Sequence, residues 1–441
     1  MPRKTTSATA PISPETVTRT VLENGIVVLV HPNPSNASVV VRGRLEAGSV
    51  QDTDATAGLA SFTAAALQRG TVKRTFQQLN EEIDALGASF GVGAGQEAAG
   101  FGGRCLVEDL DAWLDIAADV LRQPTFPTDE VEKLRGEILT GLREAANDTQ
   151  YVAGKTFLAL AYPHGHPFGR PPGGEEETVQ ALTRHDLAAF HARFYRPATL
   201  TLAIVGDVSL DEALAKVQRA FGAWQAPIHY DVCNVSGQAV GVRPSPDIPA
   251  PAWRGEPVRR DVPVPGKTQA DIILGFPGLA RHDPDFYALL VGDLIFGRLG
   301  LMGRLGHTVR DEQGLAYYAT SGLEAGLGAG PWAVHAGVSP ANVERAIESI
   351  LAEWARLSTS PVTAEELAEA QDFLTGSLAL RLETNEGKAG AILEMETYDL
   401  GLDYLQRYPA IIRDLTAAQI LAAVQRYARL QGYALVVAGP V

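Results

Sequence analysis

Cysteine is almost missing from this chain: Cys105 and Cys233 are the two present in 441 residues. A pair is too few for a disulfide framework or a zinc ribbon, so both read as separate buried thiols. Long apolar runs are missing too, and none approaches the roughly 20 residues that span a bilayer. Positive charge is in short supply. Lysine and arginine total 37 against 52 aspartates and glutamates, a formal charge of −15. An acidic surface repels phosphate backbones, which argues against nucleic acid as a partner. The opening "MPRKTTSATAPISPETV" is basic and then polar, without the apolar core of a secretory signal. The expectation is a cytoplasmic protein with a disordered tail over residues 1–15. No Ser-His-Asp or Cys-His arrangement stands out. The glycine-rich stretches "GVGAGQEAAGFGGR" and "EAGLGAGP" match no phosphate loop and read as close backbone approaches at strand ends.

What the chain does have is a repeat of itself. "LTRHDLAAFHARFYRPATLTLAIVGDV" from Leu182 and "LTAAQILAAVQRYARLQGYALVVAGPV" from Leu415 align without a gap. Each gives an amphipathic helix, a short link, an apolar β-rich run and then Gly206 or Gly439. "PTDEVEKLRGEILTGL" from Pro127 and "PVTAEELAEAQDFLTGSL" from Pro361 form a second pair at a nearly equal offset, each starting a helix with a Thr N-cap and acids in the first turn. The chain therefore divides into homologous halves, residues 16–228 and 258–441, joined by a proline-rich tether over residues 229–257. Each half opens with strands. "TVLENGIVVLVHPNP" is a strand pair about the Asn24-Gly25 turn, and "QADIILGFPG" is a strand. Helical patterns follow, among them "LVEDLDAWLDIAADVLRQ" and "SPANVERAIESILAEWARL", the latter with a Ser N-cap. This order predicts an α+β fold: two halves, each a mainly antiparallel sheet with helices on one face.

One helix raises the functional question. "AGLASFTAAALQRGT", Ala57 to Thr71, is built almost entirely from small residues. Positions i and i+4 share a helix face, and a His-x-x-Glu-His helix uses that spacing to hold zinc and place a general base between the ligands. Here the corresponding positions are Ser61, Ala64 and Ala65, none of which can ligate. Taken by itself this is a packing helix.

The flanking residues resemble the insulinase/pitrilysin family of inverted-zincin metallopeptidases. Gly58, Leu59, Ala60, Phe62, Gly70 and Thr71 keep the family's frame around the motif, while Ser61, Ala64 and Ala65 stand where it carries His, Glu and His. "LENGIVVLV", "YPHGHPFGRPPGGEEETVQALTRHDLAAFHARFYRPATLTLAIVGDV", "HDPDFYALLVGDLIFG" and "GRLGHTVRDEQGLAYYATS" extend the resemblance over nearly the whole chain. The third ligand position falls in "EILTGLREA" at Thr140 or Gly141, again without a donor for zinc. The resemblance implies that "VRDEQGLAYY" keeps the family's substrate-binding Arg and Tyr as Arg310 and Tyr317, able to bind a peptide carbonyl and the oxyanion formed from it.

Two-chain members of the family hold zinc in one chain and take the Arg/Tyr pair from the other. By that resemblance this chain is the non-catalytic, substrate-binding subunit of a heterodimeric peptidase. It carries no cofactor itself, has no peptidase activity alone, and forms one half of a clamshell with a homologous partner whose His-x-x-Glu-His is intact. An unfolded peptide is the substrate. A structural scaffold and a peptide-capturing homodimer are the alternatives. His164 and His166 form a His-x-His beside prolines, for which a structural turn is expected.

Overall fold

A computed structural model describes residues 11–163, 165–225, 246, 248–252, 254–299 and 302–440. Most of the expected tail and of the 229–257 join lies outside these residues, as do Cys233 and His164.

Strands β1 (Thr18–Val21), β2 (Val27–Pro32), β3 (Ser38–Leu45), β4 (Gly91–Ala94), β5 (Ala99–Leu106) and β6 (Thr201–Gly206) build one sheet, in the order β1-β2-β6-β3-β5-β4. Strands β7 (Val258–Pro263), β8 (Ala270–Pro277), β9 (Ala316–Leu323), β10 (Pro331–Val338) and β11 (Ala434–Gly439) build the other, in the order β7-β11-β8-β10-β9. Apart from β1 the orders are the same. Both sheets are antiparallel except at one corresponding pair, β2 with β6 and β7 with β11. The repeat reaches single residues. Gly206 and Gly439 end corresponding strands with φ of 157° and 153°. A Cβ at Gly206 would lie 2.3 Å from the Ser38 carbonyl oxygen, so both backbone angle and space call for glycine there.

Helices α1 (Leu59–Ala66), α2 (Phe76–Ala85), α3 (Leu110–Arg122), α4 (Thr128–Ala145), α5 (Thr149–Ala161), α6 (Glu176–Ala181), α7 (Arg184–Phe194) and α8 (Leu210–Phe221) belong to the first half of the sequence. Helices α9 (Phe286–Asp293), α10 (Val343–Thr359), α11 (Ala364–Arg381), α12 (Asn385–Thr397), α13 (Tyr404–Arg413) and α14 (Ala417–Tyr427) belong to the second. The expected cap of α10 differs. Ser339 precedes a short 3₁₀ turn, Pro340–Asn342, and Asn342 is the residue that precedes the helix.

The chain folds into two compact units, and each draws on both halves of the sequence. One unit holds residues 1–138, 172–246 and 379–407; the other holds 139–171, 247–378 and 408–441. Helix α12 thus packs on β6 and β3, and α5 packs on β11 and β8. In the second sheet the apolar core lies on one face and α5 on the other. In β8 the division follows strand alternation. Ile272, Leu274 and Phe276 enter the core with Trp332 and Trp354, while Asp271 and Ile273 face α5 through Thr149 and Gly154. No helix among the described residues is long and apolar enough to cross a membrane.

Candidate functional site

Helix α1 is built to be held firmly. Gly58 sits before it at φ 92°, and the buried Asp52 carboxylate accepts from the Gly58 and Ala60 amides, each at 3.1 Å. A carboxylate there satisfies orphan N–H groups and complements the helix dipole. Ala60 and Ala64 are fully buried. The Ser61 hydroxyl donates to the Pro172 carbonyl at 2.7 Å. Just past the helix, Arg69 pairs with Glu137 of α4 and stacks over Phe76, 4.7 Å from the ring centroid. Glu137, one of the two acids of the "EILTGLREA" region, is therefore committed to an arginine.

A hydroxyl spent on a carbonyl and two methyl groups cannot coordinate zinc, which takes imidazole, thiolate or carboxylate. On α4, Thr140 and Gly141 are exposed, and a Cβ added at Gly141 would meet nothing within 4 Å. Among the described residues no group of three or more His, Cys, Asp or Glu could hold a metal ion. The residues present at the family's metal positions do not fit zinc. His166 takes the structural role expected of it. Its Nε2 hydrogen-bonds to the Pro249 carbonyl at 2.9 Å, and its Nδ1 accepts from the Phe168 amide at 3.1 Å. Burial depresses its basicity, in the direction of a neutral ring.

Arg310 and Tyr317 lie in a different local setting. Arg310 is on a π-helical turn, Gly306–Glu312, whose Val309 is buried. That turn is tied down on both sides of Arg310. Arg304, nearly buried, makes a bidentate pair with Glu366 of α11 at 2.6 and 2.8 Å. The Arg310 carbonyl accepts from the Gly314 amide and the Val309 carbonyl from the Leu315 amide, both at 3.0 Å. Tyr317 follows at the start of β9. The β9–β10 register pairs Tyr318 with Gly337 and Ala316 with Val338, so Tyr317 is the extra residue of a β-bulge. A bulge re-aims a side chain out of the strand's alternation, and both bulges and π-turns recur at functional sites.

The next residue anchors the bulge. The Tyr318 hydroxyl donates to buried Asp271 at 2.5 Å and accepts from Gln150 Nε2 at 2.9 Å. Thr149 donates to the second Asp271 oxygen. Gly337 makes room for this ring, since a Cβ there would lie 2.4 Å from Tyr318 Cε1. Burial, with the Asp271 carboxylate beside it, pushes the Tyr318 phenol above its ordinary range. Tyr317 itself is 68% exposed. Arg310 is exposed as well, and among the described residues neither side chain has a hydrogen-bond or ion-pair partner. His307, not Arg310, approaches Glu312, at 3.6 Å. Sequence reasoning missed Arg304, Tyr318 and Asp271; proximity in sequence to Arg310 and Tyr317 could have pointed to the first two, whereas Asp271 lies in β8 and only the fold brings it to Tyr318.

Known proteins share the fold. The family described as insulinase (peptidase family M16) matches residues 27–167, and that described as the peptidase M16 inactive domain matches residues 181–374. This chain belongs to the insulinase, or M16, peptidase family. The chain is 29% identical to an uncharacterised zinc protease of Streptomyces coelicolor, covering 83% of this chain and 78% of that protein. It is 27% identical to the mitochondrial-processing peptidase subunit beta of Neurospora crassa, over 82% of this chain and 75% of that one. Among solved structures, a peptidase M16 inactive domain from Pseudomonas fluorescens superposes with a TM-score of 0.86 at 26% identity, covering 96% of this chain and 98% of that one. A protease from Helicobacter pylori shares the fold, with a TM-score of 0.88 at 19% identity and coverage of 96% and 99%.

Proposed function

We propose that this chain is the non-catalytic, substrate-binding subunit of a two-chain zinc peptidase. Its partner is a homologous subunit with an intact His-x-x-Glu-His, which holds the zinc. This chain holds none and cleaves nothing alone. It supplies Arg310 and Tyr317 to an unfolded peptide bound at the partner's centre. The observation that carries the reading is a contrast. The ligand and general-base positions are filled by Ser61, Ala64, Ala65 and Gly141, while Arg310 and Tyr317 stand exposed and uncommitted on two irregular, anchored segments. A core aromatic or a surface ion pair would show the opposite.

The chemistry follows from the side chains. A guanidinium and a phenol are both donors, and on a peptide carbonyl they strengthen as negative charge grows on its oxygen. The partner supplies the zinc-activated water. The test is reconstitution with the homologous zinc-binding subunit from the same organism, using a quenched fluorescent peptide. The mixture is expected to cleave while each chain alone does not. Arg310→Ala and Tyr317→Phe should each lower turnover by about 100-fold, the scale of one lost oxyanion donor. Stoichiometric zinc with peptidase activity in this chain alone would overturn the reading. A partner equally active by itself, or variants that match wild type, would favour a scaffold or a peptide-capturing homodimer.

A further inference from the structure

The glycine-rich stretch before and within β5 does not behave as the sequence suggests. Gly103 is a close approach, since a Cβ there would lie 1.8 Å from the Ser89 carbonyl oxygen. Gly102 is another, with the Val41 carbonyl oxygen 2.7 Å from such a Cβ, but Gly91, Gly93 and Gly100 are not. A Cβ at Gly91 or Gly93 would meet nothing within 4 Å, and one at Gly100 would touch only the Gly43 carbonyl oxygen at 3.9 Å. The β4–β5 register sets Gly91 against Gly102 and Gly93 against Gly100, and the β3–β5 register continues these rows to Arg42 and Arg44. Alternation puts all of these positions on one sheet face, the face that carries α12. Helix α12 covers β3 and β6 and leaves Gly91, Gly93 and Gly100 bare. The result is a cavity of about 760 Å³ with a floor of backbone and a far wall at Glu386 and Leu393.

Strand glycines cost stability, and interior ones mark places where another backbone or a ligand comes close. At Gly91, Gly93 and Gly100 nothing within the unit comes close. The near wall is basic in an acidic protein. Arg42 is exposed and has no side-chain partner among the described residues; Arg104 is 70% exposed and only 3.9 Å from Glu386. Arg44 is paired with Glu46. We propose that this trough binds an extended acidic peptide segment, with carboxylates on Arg42 and Arg104 and its backbone against the glycine floor. Charge complementarity selects the carboxylates, and the bare floor admits a main chain or a flat side chain at van der Waals contact. This site is independent of Arg310 and Tyr317, which belong to the other unit.

The test is fluorescence anisotropy of the full chain with a dye-labelled Glu-rich peptide and its Gln-for-Glu twin. The acidic peptide should bind at least about tenfold tighter than the twin, and the difference should shrink with added salt. The double variant Arg42→Glu/Arg104→Glu should lose that advantage. Gly93→Val fills the floor where there is space, and a β-branched residue suits a strand, so it should block binding without lowering Tm. Arg345→Glu, a charge reversal in the other unit, serves as the control and should bind as wild type. Equal binding of the twins, no binding of either, or wild-type affinity in the double variant or in Gly93→Val would overturn the proposal.

Discussion

At the scale of single residues, the positions that the family resemblance assigns to the general base and the third ligand are not equivalent, and the difference can be measured. Ala64 is fully buried, whereas a side chain at Gly141 has open space. Restoring Ala64→Glu should therefore cost about 3 kcal/mol of stability, from overpacking and an unpaired buried carboxyl. Gly141→Glu should cost nothing and can gain up to about 1 kcal/mol, because it removes a helix-interior glycine. Urea melts of the two variants at neutral pH check this; equal effects would mean that α1 accommodates an acid at position 64 as readily as α4 does at 141. Tyr318→Phe is a second case. It removes the donor to Asp271 and should destabilise by about 1–3 kcal/mol, as for hydrogen bonds to charged groups. The raised phenol also sets a sign. Above the ordinary tyrosine range the unfolded chain loses its proton before the folded one does, so stability falls as pH rises past about 10. That alkaline fall should be shallower in Tyr318→Phe. That Ser61, Ala64 and Ala65 cannot ligate zinc was legible in the sequence because it depends on residue type alone. The exposure of Tyr317 was not, since the bulge depends on Gly337 and Asp271, partners that only the fold brings to Tyr318.

At the scale of elements, the Arg310 turn depends on α11. Arg304 is held by Glu366, whose carboxylate also accepts from the Thr363 amide at 2.8 Å. Burial pushes the Glu366 carboxyl up, but Arg304 and Thr363 outweigh it and hold it down to about 2. The folded value lies below the unfolded one, so the stabilisation is complete above the ordinary glutamate range and drains away as pH falls toward 2. Glu366→Gln should lower stability at pH 7 by about 2 kcal/mol, less than for a fully buried pair because Glu366 is partly exposed. It should also flatten the loss of stability between about pH 5 and pH 2.5. Denaturant melts across that range test both statements, and an unchanged acid limb would show that Arg304 is not held by this pair. Helix and strand positions were readable because periodicity and caps are local. Thr363, for example, accepts from the Glu366 amide at 3.1 Å, as its place before "AEEL" suggests. The π-turn around Arg310 was not readable, because it answers to contacts across the unit more than to local propensity.

At the scale of the whole molecule, the repeat was visible in the gapless match of 182–208 to 415–441, and the sheets reproduce it strand by strand. What the match could not reveal is that the corresponding helices α5 and α12 are exchanged, each lying on the sheet built by the other half. Sequence equivalence says that the two helices occupy like positions, and it is silent on which copy of the sheet each one covers. The exchange has an energetic consequence. A fragment of residues 246–441 would lack α5 and expose Ile273 together with Asp271, which is 1% exposed in the intact chain and hydrogen-bonded by Thr149. A fragment of residues 11–225 would lack α12 and uncover its face of β3 and β6, leaving Asn33 without the Asn385 partner that it reaches at 2.6 Å. An uncovered sheet face gives up its burial and strands polar groups meant for the interior. Neither half is therefore expected to unfold cooperatively by itself, whereas the two expressed together should give one cooperative transition, because both exchanged helices are then supplied. Calorimetry and amide dispersion in NMR spectra of each fragment, and of the co-expressed pair, decide the matter. A sharp transition in either lone fragment, within a few degrees of the intact chain, would mean that its sheet needs no helix from the other half.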